Sequence, residues 1–237
     1  MEQYTYLLVN FFTIIICFIF SFDKRLKFNT YFEAYLKAAV IVGIPFILWD
    51  VWFTMHGVWW FNDRYLVGLR LAGLPIEEIL FFLCIPFSCT FTYYCFNKFF
   101  NLKWANAWNN IIVLLTTIVC VVVCLLHHDK VYTLVTGVVT TATVLYLHFV
   151  SKQEFIGQAS LLYTVLMLGF FPVNGVLTGT GLEEAIVNYN SHEFLGIRMG
   201  TIPVEDAVYG YTQFLWIIYF FTKFAKNLPF KLDNLNK

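Results

Sequence analysis

Residues 62–78, NDRYLVGLRLAGLPIEE, recur 128 positions later as residues 190–206, NSHEFLGIRMGTIPVED. The two segments align without gaps, with five identities and seven conservative replacements in 17 positions, where about one identity is expected by chance. The same offset pairs Lys24 with Lys152. We interpret the match as the duplication of a structural unit, so the chain is expected to contain two copies of one arrangement.

The composition places both copies in a membrane. Of the 237 residues, 59% are hydrophobic and only 13% are charged, and the mean hydropathy is +0.70, well above that of soluble domains. Fifteen basic residues balance fifteen acidic ones, so the chain lacks the positive field that a nucleic-acid partner would require. The six cysteines show no CxxC spacing and are interpreted as apolar packing residues.

Seven charge-poor stretches are long enough to cross a bilayer core, which takes about 20 residues as a helix. They cover residues 4–22, 34–53, 75–97, 109–126, 131–150, 155–177 and 203–222. The expected fold is therefore all-α, a polytopic membrane protein with seven transmembrane helices.

The repeat assigns three of these spans to each copy. We expect a first three-helix repeat over 1–97, a linker helix within 98–130 and a second repeat over 131–237. Because the extra span restores the direction of the second copy, the copies should be parallel repeats related by an axis along the membrane normal. Pro75 and Pro203 should then lie at one membrane face, beside a shared apolar cavity lined by spans two, three, six and seven.

Basic residues set the expected orientation, since cytoplasmic loops are enriched in Lys and Arg. Eleven of them fall on one side of the spans and four on the other. We therefore expect a multi-pass protein of the cell membrane with the N-terminus outside and the C-terminus cytoplasmic. The cytoplasmic set is Lys24, Arg25, Lys27, Lys37, Lys98, Lys103, Lys152, Lys223, Lys226, Lys231 and Lys237, and the outer set is Arg64, Arg70, Lys130 and Arg198.

Each copy of the repeated segment ends in a proline, one apolar residue and two acidic residues, and this motif opens a span. Acidic residues in a first turn can simply complement the helix dipole, but ionisable groups at membrane depth usually face a bundle interior or a cavity. Glu77, Glu78, Glu205 and Asp206 are therefore candidate catalytic residues. Helix neighbours point about 100° apart, so one of each pair can face a cavity while the other makes structural bonds. We expect the duplicated Glu77 and Glu205 to be the functional equivalents.

Three other polar positions invite comment. Asp50, at the end of the second span, is either a third buried acid or a cap for the following loop. Arg70 and Arg198 are duplicated, and we expect them to pair with carboxylates or to hold the loop.

Several of these motifs together resemble the integral-membrane lycopene cyclases of the heterodimeric bacterial type, with the two small subunits fused into one chain. The family's Trp-Tyr-Asn reads Asn188-Tyr189-Asn190 here. The resemblance rests on Phe22-Asp23-Lys24-Arg25, Trp49-Asp50, Gly57-Val58-Trp59, LPIEEILFF from Leu74, and LGIR with IPVEDAVYG from Leu195.

This resemblance implies conversion of the ψ ends of lycopene to β rings, through γ-carotene to β-carotene, with the carboxylates of the Pro-x-Glu motifs as catalytic groups. It implies lycopene, other apolar carotenoids and membrane lipid as partners, and it leaves a homo-oligomer open. The implied substrate-binding residues are Trp49, Asp50, Trp59, Asn62, Asn190 and Tyr209.

The carboxylates suit that chemistry independently. Ring closure needs a proton delivered to an end alkene and a proton removed from the ring, so a carboxylic acid kept protonated by its surroundings and an ionised partner can do both. No GxGxxG motif and no metal-binding histidine cluster occur in the sequence, and we expect no cofactor and no metal. A proton-coupled membrane transporter using the same paired acidic motifs is the alternative, because its repeats and buried acids would look similar.

Overall fold

The computed structural model describes residues 2–226, and within them seven long α-helices follow the charge-poor stretches closely. Their ends differ from the expected spans by at most a few residues, which confirms the all-α polytopic fold. Lys231 and Lys237, two members of the expected cytoplasmic set, lie outside the described residues. The helices are α1 Thr5–Phe20, α2 Phe32–Met55, α3 Ile76–Phe99, α4 Asn109–Leu126, α5 Val131–Leu145, α6 Ile156–Leu177 and α7 Val204–Ala225, and a π-helical turn at Tyr146–Val150 extends α5.

Within the described part of the chain, six helices are long and apolar enough to cross a membrane, and α7 is the exception. Its first turn carries Glu205 and Asp206. The rest of α7 is largely covered by α2 and α5, so it faces protein where the other spans face lipid. A helix that packs against protein on most sides can carry polar residues that would be energetically costly on a helix facing lipid.

Short strands connect the helices at one end of the molecule, and the sequence pattern did not predict them. β1 (Trp59–Phe61) pairs antiparallel with β4 (Val187–Tyr189), so that Trp59 lies opposite Tyr189. This pairing joins the loop of the first repeat to the loop of the second. Both loops therefore lie at the same end of the helices, as parallel repeats require.

The remaining strands form two matching hairpins that lead into α3 and α7. β2 (Arg70–Leu71) pairs with β3 (Leu74–Pro75), and β5 (Arg198–Met199) pairs with β6 (Ile202–Pro203) in the same register. Gly73 (φ +87°) and Gly200 (φ +65°) lie in the two-residue turns, where glycine accepts a positive φ without strain. The duplicated sequence thus folds into a duplicated structure, while the repeat limits given above remain a prediction.

The loop that enters the second span of each copy also has a matching residue. Lys27 (φ 53°) and Lys152 (φ 50°) both adopt the left-handed conformation just before α2 and α6. The sequence offset pairs Lys152 with Lys24, so the structural equivalent lies three residues further along. A small difference in loop length between the copies accounts for the shift.

Helix packing follows the repeat except at one place. The contact of α1 with α3 corresponds to that of α5 with α7, and α2 packs along α7 at the centre. The counterpart of that central contact, between α3 and α6, is much looser. Pro86 in α3 and Pro172 in α6 each remove one intrahelical hydrogen bond here. The space between α3 and α6 forms a cavity.

Candidate active site

An apolar cavity of about 520 Å³ extends from the strand-bearing end of the molecule along the space between α3 and α6. The expected lining by spans two, three, six and seven is confirmed, with additions from α1, α5 and the loops. The arm between the helices is lined mainly by apolar residues, among them Phe81, Ile85, Pro86, Leu166, Leu168, Gly169, Phe170, Pro172, Val173, Phe214 and Ile217.

The inner end of the cavity is different, because three carboxyl groups meet there. Asp50 from α2, Glu78 from α3 and Asp206 from α7 all line the cavity and all are buried. Of the two alternatives for Asp50, the structure selects the buried acid. The described lining residues include no Lys, Arg or His. Three unpaired carboxylates in an apolar cavity would be very costly, so the cluster as a whole must hold protons.

Asp50 and Glu78 form a pair. Their carboxyl groups are within hydrogen-bonding distance of each other, and a hydrogen bond between two carboxyl groups needs a proton on one of them. The Tyr6 hydroxyl donates to the other side of Glu78. Asp50 Oδ2 is buried and has no hydrogen-bond partner in the described part of the chain. The described residues therefore offer Asp50 Oδ2 no donor of the kind that Tyr6 supplies to Glu78.

Asp206 has a different environment. The hydroxyl groups of Tyr132 and Tyr189 donate to its two oxygens, at 2.6 and 2.7 Å. Burial, and the neighbouring Asp206 carboxylate, raise the pKa of the Tyr189 hydroxyl well above its usual range, so this group stays a donor. Two donors on two oxygens favour the ionised form of a carboxyl group. The two hydroxyl donors therefore stabilise the ionised form of Asp206 against the cost of its burial.

The two acids of each pair have different surroundings. Glu77 and Glu205 are structural equivalents, but neither lines the cavity. Glu77 accepts a hydrogen bond from the amide of Val67 at 2.6 Å, and Glu205 accepts from the amide of Leu195 at 2.8 Å. The two carboxyls tie the preceding loops to α3 and α7, and it is the second acid of each pair that faces the cavity.

Asn62 and Asn190 also lie away from the cavity. The side chain of Asn62 caps a 3₁₀ turn by accepting from the amide of Arg64 and donates to Glu184. The side chain of Asn190 accepts from the amide of His192. Both asparagines make hydrogen bonds within the loops, and neither contributes to the cavity lining.

Of the three aromatic residues expected to bind substrate, two line the cavity and one packs behind them. Trp59 and Tyr209 line the cavity, whereas Trp49 does not. Trp49 packs against Tyr209, with ring centroids 4.9 Å apart, and holds that ring in place. The Tyr209 hydroxyl is buried and, among the described residues, has no hydrogen-bond partner.

The duplicated arginines hold their loops, as expected, but with different partners. Arg70 donates to the carbonyl of Gly73 and forms an ion pair of 2.6 Å with Asp63. Arg198 donates to the carbonyl of Thr201 and has no carboxylate within salt-bridge distance in residues 2–226. Its guanidinium lies 5.6 Å from the ring centre of Tyr189.

Three site residues were missed from the sequence: Tyr6, Tyr132 and Tyr189, which supply the phenol donors. In a chain with 14 tyrosines and 27 phenylalanines, a tyrosine alone carries no signal. Their positions relative to the predicted spans and the repeat could have identified these tyrosines. Tyr6 and Tyr132 lie in the first turn of the first helix of each repeat, and Tyr189 directly precedes the second copy of the repeated segment.

The cavity opens sideways. Leu168, Gly169 and Pro172 line it and are also exposed on the surface of α6, with Leu168 78% exposed. Leu168 lies near the middle of α6, about two to three turns from its end at Leu177. An opening at that depth in a membrane helix leads to the bilayer. The arrangement can admit a hydrocarbon from lipid and bring it to the carboxyl groups at the inner end.

Comparison with known proteins agrees with this arrangement. A family model described as lycopene cyclase matches residues 3–96 and 129–224, which contain both copies of the repeated segment, 62–78 and 190–206. The bifunctional lycopene cyclase/phytoene synthase of Neurospora crassa is 38% identical over 50 residues, which are 21% of this chain and 8% of that protein. The alignment therefore spans only a small part of the relative. No solved structure matches the chain. In the described residues, no group of three or more side chains is arranged to hold a metal ion.

Proposed function

This chain belongs to the lycopene cyclase family, and from that premise we propose that it is a lycopene β-cyclase. It converts the ψ ends of lycopene to β rings, giving γ-carotene and then β-carotene, as an isomerase that acts by acid–base chemistry. One observation carries the proposal. Three buried carboxyl groups meet at the inner end of an apolar cavity that opens to the bilayer.

The chemistry asks for those features. A proton added to the end double bond of lycopene makes a tertiary cation, which closes on the next double bond, and loss of a ring proton completes the product. Carboxyl groups in two different environments can act as donor and acceptor. A C40 hydrocarbon enters from lipid, because its transfer through water would be unfavourable. No atom is gained or lost overall.

The aromatic rings at the inner end suit a transient cation. Trp59, Tyr132 and Tyr209 line the cavity beside the carboxyls, and the centroids of the Trp59 and Tyr132 rings are 5.2 Å apart. Aromatic faces stabilise a desolvated cation by about 2 kcal/mol or more.

The transporter remains the second candidate, since its acids would also be buried and duplicated. Two features favour the cyclase. The arm of the cavity is apolar, and its opening lies at mid-helix on α6, where a transported ion would meet lipid.

The purified protein in lipid vesicles is expected to convert lycopene to cyclic carotenoids without added flavin or nicotinamide. The products are separated by chromatography and identified by their absorption spectra and masses, and empty vesicles serve as the control. Unchanged lycopene, together with acid-driven uptake of a solute by the same vesicles, would instead support the transporter. A strict need for reduced flavin would contradict the acid–base proposal.

We also propose the orientation given by the basic residues, with the site at the outer face. The structure separates the two sets: the Lys98 amino group donates to the carbonyl of Leu26 at one end, and Arg64 pairs with Glu2 at the other. Cytoplasmic loops carry the excess of Lys and Arg.

A membrane-impermeant maleimide tests this orientation. Asp129 and Asn101 are exposed and lie at opposite ends of α4. In intact cells, Asp129→Cys should be labelled and Asn101→Cys should be labelled only after permeabilisation. The unsubstituted protein gives the background from the native cysteines. The reverse pattern would place the site at the cytoplasmic face.

A further inference from the structure

The two halves of the site are not equivalent, although they arise from a duplication. Asp50 lies in α2, and α6, the matching helix of the second copy, contains no acidic residue, so only the first half carries a third acid. Asp63 corresponds to Ser191, so only the first half neutralises its duplicated arginine through an ion pair. Both differences affect the carboxyl groups that face the cavity.

In the first half, the differences favour a bound proton. Glu78 contacts Asp50 carboxyl to carboxyl, and two carboxylates at this distance in an apolar site cannot both be ionised. Both members of the pair line the cavity, so a proton held between them can be delivered to a molecule that lies there.

In the second half, the differences favour a negative charge. Asp206 accepts from Tyr132 and Tyr189 at 2.6 and 2.7 Å. Arg198, freed from an acidic partner, lies over the ring of Tyr189, 5.6 Å from its centre. A positive charge behind the donating phenol favours the carboxylate in front of it.

We propose that the two halves divide the reaction, so that the Asp50–Glu78 pair delivers the proton and Asp206 removes one. The proposal rests on the cyclase function above and names its donor and acceptor. Tyr132 and Tyr189 are positioning residues that hold the Asp206 carboxylate against the ring.

The atoms balance as follows. The pair gives a proton to the inner, CH carbon of the end double bond, which leaves a tertiary cation on the outer, dimethylated carbon. The electrons of the next double bond form the ring-closing carbon–carbon bond, and the charge moves to a ring carbon. Asp206 takes a proton from the neighbouring ring carbon, and the electrons of that C–H bond become the ring double bond. Exchange with water then restores the proton of the pair and removes that of Asp206.

Deuterium incorporation from solvent separates the two roles. In D₂O, the unsubstituted protein in vesicles should place one deuterium in each ring that it forms. Glu78→Gln and Asp50→Asn should abolish both the deuterium and the ring. Asp206→Asn should reduce β-ring formation by at least about 100-fold, yet still place deuterium in recovered lycopene, in rings with a shifted double bond or in alcohols formed by capture of water.

The positioning residues give a second readout. Tyr189→Phe and Tyr132→Phe should raise the fraction of rings with a shifted double bond while the deuterium content per ring stays at one, which a merely structural defect would not produce. Glu154→Gln, an exposed change away from the cavity, is the matched control, and a thermal melt in detergent reports folding of each variant.

The outcomes are distinct. Deuterium without rings in Glu78→Gln, combined with no deuterium at all in Asp206→Asn, would reverse the assignment. Loss of all deuterium in both folded variants, or rings without deuterium in the unsubstituted protein, would overturn the division. A failure of the cyclase function itself would look different, because the unsubstituted protein would then form no ring.

Discussion

Glu78→Gln and Asp206→Asn are each expected to lower the rate of ring formation by about 10²- to 10⁴-fold, the range by which general acid–base groups contribute to catalysis. Both residues face the cavity, and both replacements keep the size of the side chain while removing its ability to give or take a proton. The rate of lycopene loss in vesicles is measured by chromatography, at equal amounts of folded protein.

Glu77→Gln and Glu205→Gln provide the comparison inside the same motifs. Their amides keep an acceptor oxygen for the backbone N–H groups of Val67 and Leu195, so we expect activity within about tenfold of the original, since amide and carboxylate accept such bonds with modest differences in energy. If the first acid of each pair proved indispensable in a folded protein and the second dispensable, the orientation of α3 and α7 described above would be wrong.

This comparison also shows where sequence reasoning ends. The helical spacing predicted that neighbouring acids point about 100° apart, and hence that one of each pair faces a cavity. It carried no information on which one. The rotation of α3 is fixed by a bond outside the helix, from the amide of Val67 to Glu77, and that of α7 by the equivalent bond from Leu195 to Glu205. Contacts between distant backbone groups leave no mark in a pattern of residue types.

The spans were predictable because each is decided by local composition. The stretch expected at 109–126 coincides with α4, Asn109–Leu126, and the other boundaries shift by a few residues. The parallel arrangement was predictable from the repeat and the number of spans between its copies. The pairing of β1 with β4 was not, because strands of three residues are too short to show a period, and their partners lie far apart in the chain.

The side opening of the cavity gives the second large effect. Gly169→Trp is expected to slow cyclisation by roughly 5- to 150-fold, because overfilling a shaped space costs about 1 to 3 kcal/mol, which converts to that range of occupancy. Gly169 lines the cavity at its exposed edge, and a Cβ atom built there meets nothing within 4 Å. The new side chain can therefore be accommodated without a clash in the folded protein, and it occupies part of the space that the substrate would fill.

Two controls make the result specific. Gly169→Ala adds only a methyl group and removes the low helix propensity of glycine, which costs about 1 kcal/mol relative to alanine. The rate of cyclisation should stay near its original value. Val138→Trp adds the same ring to the exposed face of α5, 54% exposed and away from the cavity.

The kinetic signature follows from where the residue lies. Gly169 lies at the exposed edge of the cavity and carries no acid–base group, so its replacement should raise the apparent KM for lycopene in the bilayer more than it lowers kcat. Full activity of Gly169→Trp would mean that the polyene reaches Asp50, Glu78 and Asp206 by another route. A substrate that entered at the strand-bearing end would have to cross the loops that β1 and β4 hold together. A C40 chain leaving through those loops would expose apolar surface to water, at about 25 cal/mol for each Å², whereas a chain lying between α3 and α6 keeps its unreacted end in lipid. The hydrophobic effect therefore favours entry of the polyene through the mid-helix opening. Blocking that opening should weaken substrate binding more than it slows the chemical step.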